Sequence, residues 1–416
     1  MARGIQNRLG SSFSVTFPDF PSFTITPHDI HITQEMGKQD VIELMYPRFS
    51  DFFLKSLKTG VPIYVTWKND NSSGKFFGYV YSVLPTIQQS LKAPVLIRGI
   101  GTSMSLKEGG PLIWRNKTAS EIVTDICKIF KLKAVVTPTS QRFSQQSMVG
   151  QTYWEKIQEL AKRSGCVAQM NGNELHFHPI DVMINKFITT VPVMAYSEPY
   201  TGAFVEVLTP TLDKFRATVG DYFDSSSYSK KEKTLYGIDP ITSKFYSATS
   251  SPNEVGTTLR NTTKDPLFGE ILPGAISGNK ATAQIIAKAH AQLSRFSMHA
   301  EGIGQGTPLM SPYRTIQIEG TGETTDGYWI VKKVTHAIAY DGRYQVEFSC
   351  MTDGTNGNKG SQFRPSVVAG VPVRNIASEL ANPTSKPTST KISAPTTMVK
   401  QTDAGFKVTP RRWVSN

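Results

Sequence analysis

The sequence predicts a mainly β protein with an α+β insertion, and three observations carry that expectation. Short runs rich in Val, Ile, Tyr, Phe and Thr, separated by Pro, Gly and Asn clusters, fill residues 11–105 and recur over 190–354. Between them, residues 111–180 hold two stretches of helical period, each opened by a capping box. From Gly354 onward the chain is rich in Ser, Thr and Pro and too poor in apolar residues to bury a core, which predicts a flexible or extended arm. The expected units are therefore 1–110, 111–185, 186–354 and a basic arm over 355–416.

In the first unit the strand-like runs are 13–17, 23–25, 30–33, 40–46, 61–67, 75–84 and 95–100. Their spacing suggests a small barrel or sandwich. A short helix is expected near 50–57, ahead of Thr59-Gly60, and 68–74 is the clearest hairpin loop.

In the second unit Thr118 and Glu121 make a capping box, and Ile122, Val123, Ile126, Ile129 and Phe130 share one face of the helix that follows. A strand is expected at 132–137, and the polar, Gln-rich stretch 141–150 reads as a connector. Thr152 and Glu155 make the second box, so a helix starts near Tyr153. Trp154, Ile157, Leu160 and Ala161 form its apolar face. Lys162 and Arg163 sit at its negative end and Gly165 stops it. Strands at 166–170 and 174–178 then flank Asn171-Gly172-Asn173, the chemistry of a tight hairpin.

In the third unit a helix over 281–296 places Ile285, Ile286, Ala289, Leu293 and Phe296 on one side, which predicts that it covers a β core. Residues 220–280 read as long loops or an insertion.

Composition narrows the function classes. The net charge is +12, but residues 355–416 carry nine basic and two acidic residues, leaving 36 against 31 in the first 354. So mild an excess in the body gives little support to a dedicated DNA-binding face. Cys127, Cys166 and Cys350 are odd in number and far apart, which predicts buried thiols in place of a disulfide or metal framework. No apolar run approaches bilayer length and the start lacks an apolar signal segment, so a protein made in a cytoplasm without a membrane anchor is expected.

Few residues offer chemistry. His176 and His178 lie two apart on an expected strand and share a face, which suits either a metal or packing, with no third ligand placed. His28 and His31 fit neither period. Glu155, Glu159 and Glu174 are the carboxylates available to a glycosidase pair, but Glu155 is used by its cap and Glu159 lies on a solvated helix face. Gly302, Gly304 and Gly306 have the spacing of a phosphate loop but follow a helix instead of opening one. No nucleophile-elbow, zincin or P-loop motif occurs, and neither a catalytic residue nor a cofactor is expected. In the arm, Arg411, Arg412 and Trp413 restore basic and aromatic character and read as either a docking peptide or a disordered end.

Two segments carry a resemblance. The first is Gln151, Trp154, Leu160, Ala161, Gly165, Leu175 and Phe177, in which a Trp-containing helix ends in small residues before a hairpin. The second runs through Pro308, Pro312, Gly320, Gly327, Tyr328 and His336. Together they resemble the late control protein D family of contractile-tailed phages, whose wider relatives are phage baseplate hub proteins and type VI secretion spike proteins. One departure is Tyr313, where that family often has Gly.

The resemblance implies two β-barrel-like domains flanking a small α/β domain, assembled as a homotrimer whose six barrels form a ring. It implies a structural hub of a tail baseplate in the virion, a late protein joining the six-fold tail tube to a three-fold spike or tip. Its expected partners are the tail tube protein, the spike or tip protein and other baseplate proteins, with tape measure protein or DNA passing through the channel. A tail-associated cell-wall hydrolase is the alternative, and a nucleic-acid-binding module acting through the arm is a third reading.

Overall fold

The computed structural model describes residues 11–21, 25–47, 55–69, 72–85, 94–186, 193–195, 212–217, 223–224, 227–228, 232–239, 242–250, 269–271, 280–294, 296, 298–322 and 325–352. The arm over 355–416, with Arg411, Arg412 and Trp413, lies outside the described residues, as do most of the expected 23–25 strand and 50–57 helix.

The N-terminal strands are β1 (Ser12–Thr16), β2 (Asp29–Glu35), β3 (Val41–Tyr46), β4 (Pro62–Asn69), β5 (Ser72–Pro85) and β6 (Val95–Gly101). Period-two alternation sends Ile42, Leu44 and Tyr46 of β3, and Ile63, Val65 and Trp67 of β4, to one side. The β4–β5 hairpin is tighter than the 68–74 loop expected from sequence. Pairing continues to Asn69↔Ser72, and the Asn69 carboxamide oxygen accepts from the Ser72 amide at 2.9 Å. A register shift between Val80 and Ser82 marks a bulge that bends the 14-residue β5.

The middle of the chain forms β7 (Leu112–Thr118), α1 (Ala119–Ile129), β8 (Lys133–Val136), β9 (Arg142–Met148), α2 (Tyr153–Ser164), β10 (Val167–Asn171), β11 (Glu174–His178) and α3 (Ile180–Lys186). Both capping boxes form, with Thr118–Glu121 and Thr152–Glu155 reciprocally bonded. The stretch read as a connector is instead β9, paired antiparallel with β7. Its exposed face is polar and only Phe143 and Met148 turn inward, so the alternation is too sparse to read until β7 supplies the ladder. Helices α1 and α2 share one core with β8, β10 and β11, built on Ile122, Ile126, Trp154, Leu160, Leu175 and Phe177.

The rest comprises β12 (Val193–Ala195), β13 (Leu212–Ala217), β14 (Phe223–Asp224), β15 (Ser227–Tyr228), β16 (Glu232–Ile238), β17 (Phe245–Ser250), β18 (Gly269–Ile271), α4 (Lys280–Ser294), β19 (Met298–Gln305), β20 (Thr315–Glu319), β21 (Gly327–Ala339) and β22 (Tyr344–Thr352). Part of the region read as loops is therefore folded. Strands β17, β16 and β18 form a small sheet, and Leu235, Tyr246 and Ala248 pack against Ala283 and Ile286 of α4. The covering face is rotated from the expected one and shares Ile286 with it, since Ile285 is 47% exposed while Ala283, Ile286, Ala287 and Ala291 are buried.

The two β regions meet along β2 and β21, whose register runs from Asp29↔Ala339 to Glu35↔Lys333. This pairing makes one continuous path, β1-β4-β5-β6-β3-β2-β21-β22-β19-β13, with β20 paired to β21 and β12 to β20. One apolar core lines it, from Phe17 and Ile30 to Phe348 and Cys350. The protein is mainly β, as the sequence predicts. Among the described residues no helix is long and apolar enough to cross a membrane.

Candidate functional site

The first signature segment lies against the N-terminal strands. Gly165 adopts φ 66°, closing α2 in the left-handed region, and the α2 face of Ile157, Leu160 and Ala161 is buried, with Trp154 at its rim. Gln151 is half-buried. Leu175 and Phe177 are fully buried, and Gly172-Asn173 is the two-residue turn between β10 and β11.

Three contacts that the sequence reading missed fasten this unit to the strands before it. The Gly37 amide donates to Gln169 Oε1 at 3.0 Å, the Gln158 amide donates to Gly37 O at 3.2 Å, and Thr102 Oγ1 donates to Gly172 O. Two carboxamides thus clasp one residue of the β2–β3 turn.

Beside the clasp, a cavity of about 30 Å³ is lined by Gln34, Asp40, Lys75, Thr102, Ser103 and Asn171, among others. Asp40 Oδ2 accepts from Gln34 Nε2 at 2.8 Å, whereas Oδ1 is buried without a partner. Burial drives the Asp40 carboxyl up to about 7, with the Gln34 hydrogen bond opposing.

The candidate catalytic and metal residues are all engaged. His176 and His178 are each 3% exposed on β11, with ring centroids 5.8 Å apart. His178 Nδ1 lies 2.8 Å from Thr137 Oγ1, and His176 Nε2 lies 3.3 Å from Glu174 Oε2. Among the described residues no group of three His, Cys, Asp or Glu side chains is arranged to hold a metal ion. Glu155 is held below the usual carboxylate range by the Thr152 backbone amide, and Glu174 by the Lys133 ammonium. Glu159 bridges Arg163 at 2.9 Å and the buried ammonium of Lys156 at 3.1 Å, so it is less solvated than expected. All three cysteines are buried and free, with thiols raised by burial.

The second signature segment forms the middle of the shared core. Trp67 Nε1 donates to Tyr344 Oη at 3.0 Å, and Tyr344 Oη lies 2.8 Å from His336 Nδ1. The indole is a donor only, so the phenol oxygen accepts from it while also pairing with the imidazole Nδ1. Burial lowers His336 to about 4, with the Met310 backbone pulling the other way, and the ring is therefore neutral. This chain ties β4 to β21 and β22.

Glycines make room for its rings. A Cβ at Gly306 would lie 2.1 Å from the Tyr344 ring, one at Gly74 2.2 Å from Trp67, and one at Gly302 2.4 Å from Phe348. The glycine-rich run 302–306 thus seats aromatic rings. Gly320 and Gly327 have φ of 80° and 137°, and Asp326 Oδ1 accepts from the Thr321 amide at 2.8 Å in the turn between β20 and β21. Tyr328 is half-buried. Pro308 and Pro312 lead to Tyr313, which has φ 65° although it is not glycine. The backbone at the departure from the family pattern keeps the conformation that Gly would take.

No family model matches this chain, and no curated protein matches it in sequence. Solved structures do. The 43 kDa tail protein of prophage MuSo2 from Shewanella oneidensis is similar with a TM-score of 0.56 at 15% identity, over 83% of this chain and 99% of that one. A tail protein from Neisseria meningitidis MC58 is similar with a TM-score of 0.58 at 12% identity, over 83% and 97%. An Escherichia coli component of the type VI secretion system is similar with a TM-score of 0.50 at 9% identity, over 82% and 76%. The chain has the fold of these phage tail proteins and of the type VI secretion component, the relatives that its two signature segments resemble.

Proposed function

We propose that this protein is the structural hub of a phage or phage-like tail baseplate. In this reading it is a homotrimer that joins the six-fold tail tube to a three-fold spike or tip and surrounds the channel for tape measure protein or DNA. It assembles in the host cytoplasm and ends in the virion tail beside other baseplate proteins. The observation that carries the reading is the extent of the likeness: the fold is shared with two tail proteins over nearly their whole length. The unit boundaries near 110, 185 and 354, and the docking of Arg411, Arg412 and Trp413 on a neighbouring subunit, belong to the same proposal.

Light scattering of the full chain should give three times the monomer mass, and particle images should show a three-fold ring. A monomer at high concentration that does not bind tube protein sinks the reading.

The role is structural and not hydrolytic. A glycosidase needs one carboxylic acid held protonated, and the surroundings of Glu155 and Glu174 favour the ionised form. Clearing of purified peptidoglycan that disappears on Glu155→Gln, Glu159→Gln or Glu174→Gln would reverse this assignment.

A further inference from the structure

The loop leading into β20 holds a charge that has no partner among the described residues. Arg314 lies one residue before β20 and its side chain is only partly exposed. Its Nε and Nη1 are buried, and among the described residues nothing accepts a hydrogen bond from either. Burial pulls the guanidinium below its usual value. A desolvated cation without a counter-charge is among the costliest features a fold can carry. The side chain as a whole is half-buried, and Nη2 is not among its buried, unpartnered nitrogens.

A second cost is stored at the neighbouring residue. Tyr313 is 2% exposed and sits at φ 65°, a conformation that a bulky L-residue resists. The backbone around it is pinned, with the Tyr313 amide donating to Val331 O at 3.0 Å, the Arg314 amide to Ser311 O at 3.1 Å and the Val331 amide to Arg314 O at 2.9 Å. The backbone that carries Arg314 is thus fixed, and burial of Nε and Nη1 restricts the side chain that it carries.

We infer that Arg314 is a docking point for a carboxylate presented by an acidic partner protein. A guanidinium spreads its charge over three nitrogens, so an Asp or Glu side chain at Nη2 compensates the buried remainder as well. The first 354 residues carry 36 basic and 31 acidic residues, so the body around Arg314 has a net positive charge that favours a net-negative partner. Nucleic acid fits less well, because phosphate tracking needs a row of cations and this socket offers one.

The test uses fluorescein-labelled deca-glutamate, with deca-glutamine as control, titrated by anisotropy at low salt against the full chain. A parallel series carries Arg411→Gln and Arg412→Gln, so that arm cations do not mask the site. Arg314→Gln should weaken deca-glutamate binding about tenfold, the scale of one charge-assisted hydrogen bond, while Arg343→Gln at an exposed arginine should not. The Tm of Arg314→Gln should equal or exceed that of the parent, because an unpaired buried ion has been removed. Unchanged binding overturns the inference. So does a lowered Tm, which would make Arg314 a structural ion. If Arg314→Gln instead turns an oligomer into monomers with probe binding intact, a second copy fills the socket, and the assignment to an acidic partner fails.

Discussion

His336 and Asp40 are both carried into the interior, one in the core shared by the two β regions and the other at the seam with the middle unit. His336 Nδ1 is hydrogen-bonded to Tyr344 Oη, which in turn accepts from Trp67, and aromatic rings close around the chain. Asp40, which lines a small cavity, has one carboxylate oxygen bonded to Gln34 and the other buried without a partner among the described residues. Each group keeps one buried atom without a hydrogen-bond partner among the described residues, Nε2 of His336 and Oδ1 of Asp40, but the core group belongs to a chain of three linked side chains and the seam group to a single pair. A chain of linked side chains holds its members in place from several strands at once, whereas a single pair at a joint between units depends on one neighbour.

The largest effect is expected in the Trp67–Tyr344–His336 chain. Trp67→Ala removes the ring and the donor together and should lower the unfolding free energy by about 4 kcal/mol in a denaturant titration. A loss under about 1 kcal/mol would break the claim that this chain holds the two β regions together.

Asp40 gives a second effect of similar ceiling with a distinctive pH course. Between its ordinary value of 3.8 and about 7, the native chain keeps a proton that the unfolded chain releases. Stability is therefore lost as pH rises through that window, by at most about 4 kcal/mol. Asp40→Asn should match the parent near the bottom of the window and exceed it in stability above the top. A difference that does not vary with pH would remove the contrast.

His336 runs the other way. Between about 4 and 6.5 the unfolded chain takes up a proton that the buried ring refuses, so stability falls as pH drops through that window, by at most about 3 kcal/mol. The two slopes oppose each other over most of one range. The His336 slope is therefore best read in an Asp40→Asn background, where a flat profile would show that the ring is not held neutral.

The smallest effect sharpens the seam itself. Gln169→Ala should cost about 1 kcal/mol, seen as roughly fivefold faster hydrogen exchange at the Gly37 amide with little change elsewhere.

What was legible in the sequence was local. Thr118, Glu121, Thr152, Glu155 and Gly165 announce the ends of α1 and α2 because a cap and its helix lie within a few residues. Strand β9 was hidden because its ladder comes from β7, some thirty residues away, and its own faces are mostly polar. Asp40, Lys156, Gln158 and Gln169 look like surface residues, and only tertiary packing buries or engages them. The glycine run 302–306 shows its purpose only when the Tyr344 and Phe348 rings, some forty residues later, are placed over it. Tyr313 was partly legible. Its place in the pattern marked a turn, but the left-handed backbone and the unpaired Arg314 beside it required coordinates.

The β2–β21 pairing sets an order of events during synthesis. Its partners lie about 300 residues apart, so at ribosomal rates β2 waits roughly 15 to 60 s for the strand that completes it. The unit from β7 to β11 is contiguous and closes its own core well before then. Through that interval the nascent chain carries an open sheet margin beside Ile30 and Ile32, side chains the finished protein hides completely. Truncated products ending before β21 should therefore be the aggregation-prone species in any preparation, and a chaperone acting on this chain would have its task at that margin.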